Sequence, residues 1–317
     1  MNSILSVQNV VKKYSTHVAL NEVSLEVPEN SIYGLLGPNG AGKTSLIRII
    51  NQITGPDQGK IFFRGNPLQE SHVSEMGYLP EERGLYRKMK VGEQCIYLAR
   101  LKGMKKKEAE SKLKLWFEKF EMTGWWNKKI EELSKGMQQK VQFIVTILHE
   151  PKLLILDEPF SGFDPINANL MKNEIMELRN KGATIIFSTH NMGSVEELCD
   201  HIALLNKSKK ILDGSVSEIR KQFRTHLYEV CFRGNMIAFA NSLWAGAEMV
   251  SEEKKGDVVK VKVKIKGANT PNDLLMALLP SVEIVSFNEV IPSMNDIFIQ
   301  AVGEKSNLFV NGSNFTE

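Results

Sequence analysis

The sequence is short of cysteines, of long apolar runs and of net charge, and each shortage excludes a class of protein. Its cysteines, Cys95, Cys199 and Cys231, lie far apart without a C-x-x-C pair, so we expect reduced buried thiols, not a disulfide framework or a metal site. No apolar run approaches the roughly 18 residues of a membrane-spanning helix. The first residues lack the basic and apolar regions of a secretion signal. A net charge of +3 over 317 residues is too small to indicate nucleic-acid binding.

What the sequence does contain is a glycine-rich run at residues 37–45 that matches G-x-x-x-x-G-K-[ST]. A strand-like run precedes it and a helix-like run follows, which is the context that a phosphate-binding loop requires. The glycines let the backbone turn with its N–H groups inward, and the helix N-terminus adds partial positive charge. Lys43 is predicted to reach the β- and γ-phosphates and Thr44 to ligate Mg²⁺. The predicted nucleotide-binding residues are Gly37, Pro38, Asn39, Gly40, Ala41, Gly42, Lys43, Thr44 and Ser45.

Two carboxylates follow an apolar run in LLILDEP, at residues 153–159. Ligands bind at the carboxyl ends of strands in open α/β sheets, so we expect Asp157 to hold Mg²⁺ through water. Glu158, one residue further on, is predicted to polarise the attacking water as general base. Taken alone, the run also fits two acidic residues in a loop before a helix. The phosphate loop upstream favours the catalytic interpretation.

Two weaker motifs gain meaning from their place in the chain. LSKGMQQ at residues 133–139 offers Ser134 as a helix N-cap and Gly136 as a point of close approach to phosphate, ahead of a helix predicted at 138–149. His190 ends an apolar strand predicted at 184–189, where an imidazole could contact the γ-phosphate. Alone, the first is an ordinary helix start and the second is more often a structural histidine.

Strand-like and helix-like segments alternate along most of the chain. Buried apolar strands separated by helices predict a mostly parallel sheet covered on both faces, with an N-terminal antiparallel β region and a helical insertion at about 91–140. Beyond about residue 224 the order β-α-β-β-α-β predicts a small ferredoxin-like α+β domain at 225–303. Residues 304–317 are polar and aperiodic, and we expect a disordered tail there.

In this order, the motifs resemble those of the ATP-binding subunits of ABC transporters, over about residues 3–222. In that family they are the phosphate loop, the LSGGQ-type signature, the Asp–Glu pair, the D-loop and the switch histidine, and SGFD at residues 161–164 matches the D-loop. The resemblance implies a P-loop ABC ATPase core over 1–222 that binds and hydrolyses ATP with Mg²⁺. It also implies that Tyr14 stacks on the adenine, although a half-buried strand tyrosine is the more usual interpretation of Tyr14 alone.

The resemblance further implies partners. In the family the signature of one subunit, here Ser134 and Gly136, closes on the ATP held by another, so we expect a homodimer with two composite sites. A separately encoded transmembrane permease is expected to hold the chain at the cytoplasmic face of the membrane. The region at 83–103, from Arg83 onward, would meet that permease through Leu85 and Tyr86, unless these two only pack between subdomains.

A narrower resemblance, to the sodium-extruding NatA subgroup, is carried by MGYLPEERGLY at residues 76–86 and by the small C-terminal domain. It implies an exporter, of sodium ions or of a drug-like solute. Two departures from the family pattern stand out. Glu81 replaces the usual glutamine that contacts Mg²⁺ and the attacking water, which keeps an oxygen ligand but adds a charge. The signature reads SKGM, with Lys135 and Met137 in place of smaller or amide residues, while Ser134 and Gly136 are retained.

Two other functions compete with transport. An ABC-type ATPase acting on nucleic acid or ribosomes usually carries coiled-coil or zinc insertions or a second cassette, none of which this sequence contains, so no nucleic-acid partner is expected. A regulatory ATPase whose C-terminal domain binds a ligand is the weaker alternative.

Overall fold

The computed structural model describes residues 2–82, 84–244 and 246–310. The chain forms two units, one built on residues up to Val216 and resuming at Ala301, and a second over Ser217–Gln300. The sequence placed this division at residues 222–225. Within the described residues, no helix is both long and apolar enough to cross a bilayer.

The strands of the first unit come from the whole length of its sequence. They are β1 (Ser3–Tyr14), β2 (His17–Pro28), β3 (Ile32–Leu36), β4 (Gln58–Phe63), β5 (Asn66–Pro67), β6 (Met76–Leu79), β7 (Leu153–Asp157), β8 (Thr184–Thr189), β9 (His201–Asn206) and β10 (Lys209–Ser215). The helices that accompany them are α1 (Lys43–Ile50), α2 (Val91–Leu101), α3 (Lys106–Lys119), α4 (Lys135–Ile147), α5 (Pro165–Asn180) and α6 (Met192–Leu198). Short 3₁₀ turns lie at Glu70–Glu75, Thr123–Trp125 and Ile130–Glu132. Helix α7 (Val216–Gln222) starts at the division between the units.

A six-stranded sheet in the order β10-β9-β3-β8-β7-β6 forms the centre of the first unit. Strands β9, β3, β8, β7 and β6 are parallel, and β10 pairs antiparallel with β9 as the predicted hairpin. Every residue of β3, β7 and β8 is buried, which confirms the prediction of a parallel sheet covered on both faces. A second sheet, β2-β1-β4-β5, is antiparallel and supplies the predicted N-terminal β region.

The parallel pairing brings four chain segments to one edge of the central sheet. Leu36 pairs with Thr189, Asp157 with Ser188 and Leu79 with Leu156. The segments that follow β3, β6, β7 and β8 therefore leave the sheet at the same carboxyl edge. This is where ligands bind in open α/β sheets.

Two glycines make the turn from β3 into α1 possible. Gly37 has φ +148° and a Cβ there would lie 2.3 Å from the carbonyl oxygen of Leu205. Gly42 caps α1 with φ +110°, and a Cβ there would lie 2.3 Å from the carbonyl oxygen of Ala19. No L side chain fits such contacts, so the spacing of these glycines follows from the backbone of two neighbouring strands.

Helices α2, α3 and α4 with their 3₁₀ turns form the helical insertion. Phe117 packs edge-on against Trp126, with ring centroids 5.6 Å apart, and Trp126 fills the space beside Gly92. Helix α4 begins earlier than the predicted residue 138, because the Ser134 hydroxyl accepts the backbone N–H of Met137 and fixes the N-cap.

The second unit has the predicted order of elements: β11 (Leu227–Arg233), α8 (Met236–Asn241), β12 (Ala247–Lys255), β13 (Val258–Ile265), α9 (Pro271–Leu278) and β14 (Glu283–Glu289). The sheet is antiparallel in the order β12-β13-β11-β14, as in a ferredoxin-like fold. Its core includes Phe232 stacked on Phe239 with centroids 4.5 Å apart. Helix α10 (Met294–Val310) continues into the segment expected to be disordered from residue 304, and residues 311–317 lie outside the described part of the chain.

Candidate active site

Lys43, at the start of α1, is the buried cation of the phosphate loop. Its side chain folds back so that Nζ donates to the carbonyl oxygens of Gly37 at 2.5 Å and Pro38 at 3.2 Å. Burial lowers the pKa of Lys43, while the charges of Glu158, Asp157 and Glu81 act against that shift. The ammonium group is thus held in place by two backbone carbonyl oxygens, and nearby carboxylates favour its charge.

A cavity of about 360 Å³ lies beside this lysine and brings most of the predicted site together. It is lined by His17, Ala19, Asn39, Gly40, Ala41, Gly42, Lys43, Thr44, Ser45, Glu81, Asp157, Glu158 and His190. Gly37 and Pro38 contribute the carbonyl groups that hold Lys43. His17 and Ala19 were not predicted, because they reach the cavity from β2 of the other sheet and no local motif marks them.

The oxygen ligands around the cavity suit Mg²⁺. Thr44 offers a hydroxyl group, and Asp157 and Glu81 offer carboxylates, which are the donors that magnesium prefers. In the part of the chain that the structure describes, no three acidic, histidine or cysteine side chains converge into a complete metal cage. Magnesium is usually held by one or two carboxylates together with substrate phosphates and water.

Asp157 closes β7 and is 4% exposed. Burial raises the pKa of its carboxyl group, the charges of Glu81 and Glu158 raise it further, and Lys43 opposes them. Repulsion by the Glu81 and Glu158 carboxylates thus disfavours ionisation of Asp157. A divalent ion at this position would relieve that repulsion.

Glu158 is held by residues from the neighbouring strand end. Its backbone has φ +48°, an uncommon conformation for a residue with a side chain, and its N–H donates to the carbonyl oxygen of Ser188 at 2.9 Å. Oε2 accepts the Thr189 hydroxyl at 3.1 Å, while Oε1 accepts the His190 backbone N–H at 2.9 Å and lies 2.7 Å from His190 Nδ1. The structure thus joins Glu158 to His190, which was predicted only to contact the γ-phosphate, and adds Thr189, which no sequence motif marks.

Ser134, Gly136 and Tyr14 do not line the cavity. Ser134 is exposed at the N-cap of α4, and a Cβ on Gly136 would lie 3.7 Å from the ring of Phe163. Tyr14 is 38% exposed and its ring centroid lies 5.5 Å from that of His17, a cavity residue. The signature residues and the phosphate loop of one chain therefore do not form a single site.

Two family models match the chain. One, described as ABC transporter, matches residues 20–161, and the other, described as the C-terminal domain of DrrA1-3-like ATP-binding proteins, matches residues 214–302. YhaQ of Bacillus subtilis (strain 168), described as an uncharacterized ABC transporter ATP-binding protein, is 42% identical over 300 residues, which cover 95% of this chain and 99% of YhaQ. The ABC transporter ATP-binding protein NatA of the same strain is 31% identical over 69% of this chain and 91% of NatA.

LptB of Haemophilus influenzae, described as a lipopolysaccharide export system ATP-binding protein, is 31% identical over 68% of this chain and 92% of LptB. A solved ATP-binding subunit of an ABC transporter has a TM-score of 0.66 and 30% identity, over 70% of this chain and 93% of that one. The cbiO1 structure from Clostridium perfringens, described as part of the complex cbiONQ, has a TM-score of 0.60 at 24% identity, over 70% of this chain and 94% of cbiO1. At that identity the cbiO1 likeness supports the fold alone. These matches confirm the predicted fold class.

Proposed function

The chain belongs to the ABC transporter ATP-binding family, whose members couple ATP hydrolysis to transport, and from that premise we propose that two copies of it close around two ATP molecules and power a separate exporting permease. One observation carries this proposal. The cavity gathers the phosphate loop, Asp157, Glu158 and His190, whereas Ser134 and Gly136 stand apart from it. In a composite dimer site, one chain supplies the phosphate loop and the hydrolytic residues, and the signature residues come from the other chain. The separation seen within this chain fits that arrangement.

Each group of cavity residues has a separate role in ATP hydrolysis. Backbone N–H groups of the loop and the Lys43 ammonium group bind the phosphates, since both present positive charge to them. Thr44, Asp157 and Glu81 would hold Mg²⁺, which supplies charge neutralisation at the β- and γ-phosphates. Glu158 takes a proton from the attacking water as general base, and His190 orients the Glu158 carboxylate through Nδ1 and its backbone N–H.

Thr189 is a positioning residue for that base, and this can be measured. Thr189→Val keeps the shape of the buried side chain but removes the hydroxyl that donates to Glu158 Oε2. We expect kcat for ATP hydrolysis to fall about tenfold, because a hydrogen bond to a charged group contributes roughly 1.5 kcal/mol or more, with KM unchanged. Thr189→Ser, which restores the donor, should recover most of the loss in steady-state assays. A wild-type kcat for Thr189→Val, or a loss confined to KM, would remove Thr189 from this role.

A mostly apolar groove on the first unit is the proposed docking site of the permease. It has a volume of about 820 Å³ and lies between α2, α4 and the segment around β6. Leu85, Leu98 and Leu101 contribute apolar lining, and Leu101 is 65% exposed. Tyr86, 56% exposed, lies beside the groove-forming Leu85. Arg83, with which the predicted docking region began, lies outside the described residues.

Leu101→Glu should separate docking from basal chemistry, because a carboxylate in an apolar groove must be desolvated when a partner helix covers it. We expect the purified variant to keep wild-type basal ATPase activity but to lose co-purification with membrane proteins from its native host, at least about tenfold by quantitative immunoblot of a candidate permease. Leu115→Glu is the matched control, since Leu115 is 64% exposed on α3 of the same insertion and does not line the groove. Equal recovery of both variants would place docking elsewhere, and failure of the wild type to recover any membrane protein would count against the transport proposal.

Export is the direction that the comparisons support best, because LptB is described as part of an export system. The narrower proposal of a sodium or drug-like cargo comes from the resemblance of residues 76–86 and of the small C-terminal domain to the NatA subgroup, and the choice between these cargoes lies in the permease. Binding to that permease would hold the chain at the cytoplasmic face of the membrane. YhaQ, NatA and LptB are all described as ATP-binding proteins of transporters or export systems, which favours transport over an ATPase acting on nucleic acid or ribosomes.

A further inference from the structure

Glu81 adds a third carboxylate to the nucleotide cavity. It follows β6 by two residues and lines the cavity with Asp157 and Glu158, while Lys43 supplies the ammonium group among the lining residues. When His17 and His190 are left out of the count, the lining side chains carry three negative charges and one positive charge. A glutamine in place of Glu81, as in the usual family pattern, would leave two negative charges and one positive charge.

The charge of Glu81 acts on its neighbours across this cavity. The pKa of Asp157 is raised first by burial, and then by the charges of Glu81 and Glu158. The pKa of Lys43, which burial lowers, is pushed back upward by Glu158, Asp157 and Glu81. The field of Glu81 thus reaches both the residue that would hold the metal and the lysine that would hold the phosphates.

We propose that Glu81 makes nucleotide binding conditional on the metal, so that the site rejects metal-free ATP and accepts the Mg²⁺ complex. The physical reason is charge. A metal-free triphosphate brings about four negative charges into a cavity whose lining side chains carry a net negative charge. Glu81 is exposed, but like charges still repel because the effective dielectric near a protein surface is well below that of bulk water. The Mg²⁺ complex brings two fewer charges, and the Glu81 oxygen then faces a cation. This inference rests on the proposed function, since it concerns the same nucleotide site.

The test compares binding of the non-hydrolysable fluorescent nucleotide mant-AMP-PNP in MgCl₂ and in EDTA. For Glu81→Gln we expect binding in EDTA to tighten about tenfold relative to the wild type. The substitution removes one negative charge that faces the triphosphate across the cavity, where the effective dielectric is about 20. Glu82→Gln is the matched control. Glu82 is exposed in the same loop, does not line the cavity, and contacts Gln142 through its backbone carbonyl.

The outcomes separate this inference from the function on which it rests. If Glu81→Gln binds more weakly in MgCl₂ but like the wild type in EDTA, Glu81 is a metal ligand without a gating charge, and the inference is wrong while the proposed function stands. If Glu82→Gln tightens binding in EDTA as much as Glu81→Gln does, the effect belongs to the general charge of the loop and the assignment to Glu81 also fails. A wild-type protein that binds no nucleotide in MgCl₂ would overturn the proposed function itself.

Discussion

Glu158→Gln is expected to reduce kcat for ATP hydrolysis by about 10³-fold or more while leaving ATP binding intact, since a positioned general base contributes roughly 10²–10⁴ to such a rate. The amide keeps the size of the side chain. Its oxygen can still accept the His190 backbone N–H, and its NH₂ group would face the Thr189 hydroxyl, which can accept as well as donate, so the local structure should survive. Because ATP closes the proposed dimer and hydrolysis opens it, the variant should accumulate as a closed dimer with ATP. Size-exclusion chromatography with light scattering measures this directly.

The matched control for this experiment is Glu150→Gln. Glu150 has φ +55°, close to the +48° of Glu158, but its carboxylate pairs with Lys112 at 3.0 Å and does not line the nucleotide cavity. It therefore tests whether any Glu-to-Gln change in this backbone conformation impairs the enzyme. We expect Glu150→Gln to hydrolyse ATP at the wild-type rate. A Glu158→Gln protein that stays monomeric with saturating ATP would contradict the composite-site model.

The parts of the site that the sequence predicted are those that depend on local geometry. The phosphate loop could be recognised because only glycine fits the close backbone contacts at positions 37 and 42. Asp157 could be recognised because it ends an apolar strand. The β-α-β-β-α-β order of the second unit could be predicted because alternation in β13 marks one buried and one exposed face.

What the sequence missed depends on contacts between distant segments. Thr189 approaches Glu158 because β7 and β8 are parallel neighbours, and Ala19 approaches Gly42 because the two sheets meet there. Neither contact leaves a pattern in the residues themselves. The predicted start of α4 at residue 138 is wrong for a smaller reason: the Ser134 cap fixes the helix immediately after it, so the helix begins at Lys135.

Lys43→Ala is expected to weaken binding of the Mg²⁺–ATP complex by about 100-fold or more, because removing one partner of a buried charge pair costs roughly 3 kcal/mol or more. Lys43 is 8% exposed, and its ammonium group already sits between the Gly37 and Pro38 carbonyls, so the side chain is positioned for phosphate before any ligand arrives. Isothermal titration calorimetry measures the affinity. Unchanged affinity would contradict the assignment of this loop.

Lys102→Ala separates loss of a phosphate contact from loss of any buried ammonium group. Lys102 Nζ donates to the carbonyl oxygens of Val73 at 2.8 Å and Met76 at 2.9 Å, and burial lowers the pKa of Lys102 as it does that of Lys43. These two hydrogen bonds hold the turn around Val73, which lies at the docking groove and away from the nucleotide cavity. We therefore expect Lys102→Ala to lower the melting temperature and to keep wild-type ATP affinity. Lys43→Ala should instead weaken ATP binding, because of these two buried lysines only Lys43 lines the nucleotide cavity, where its ammonium group can contact the phosphates.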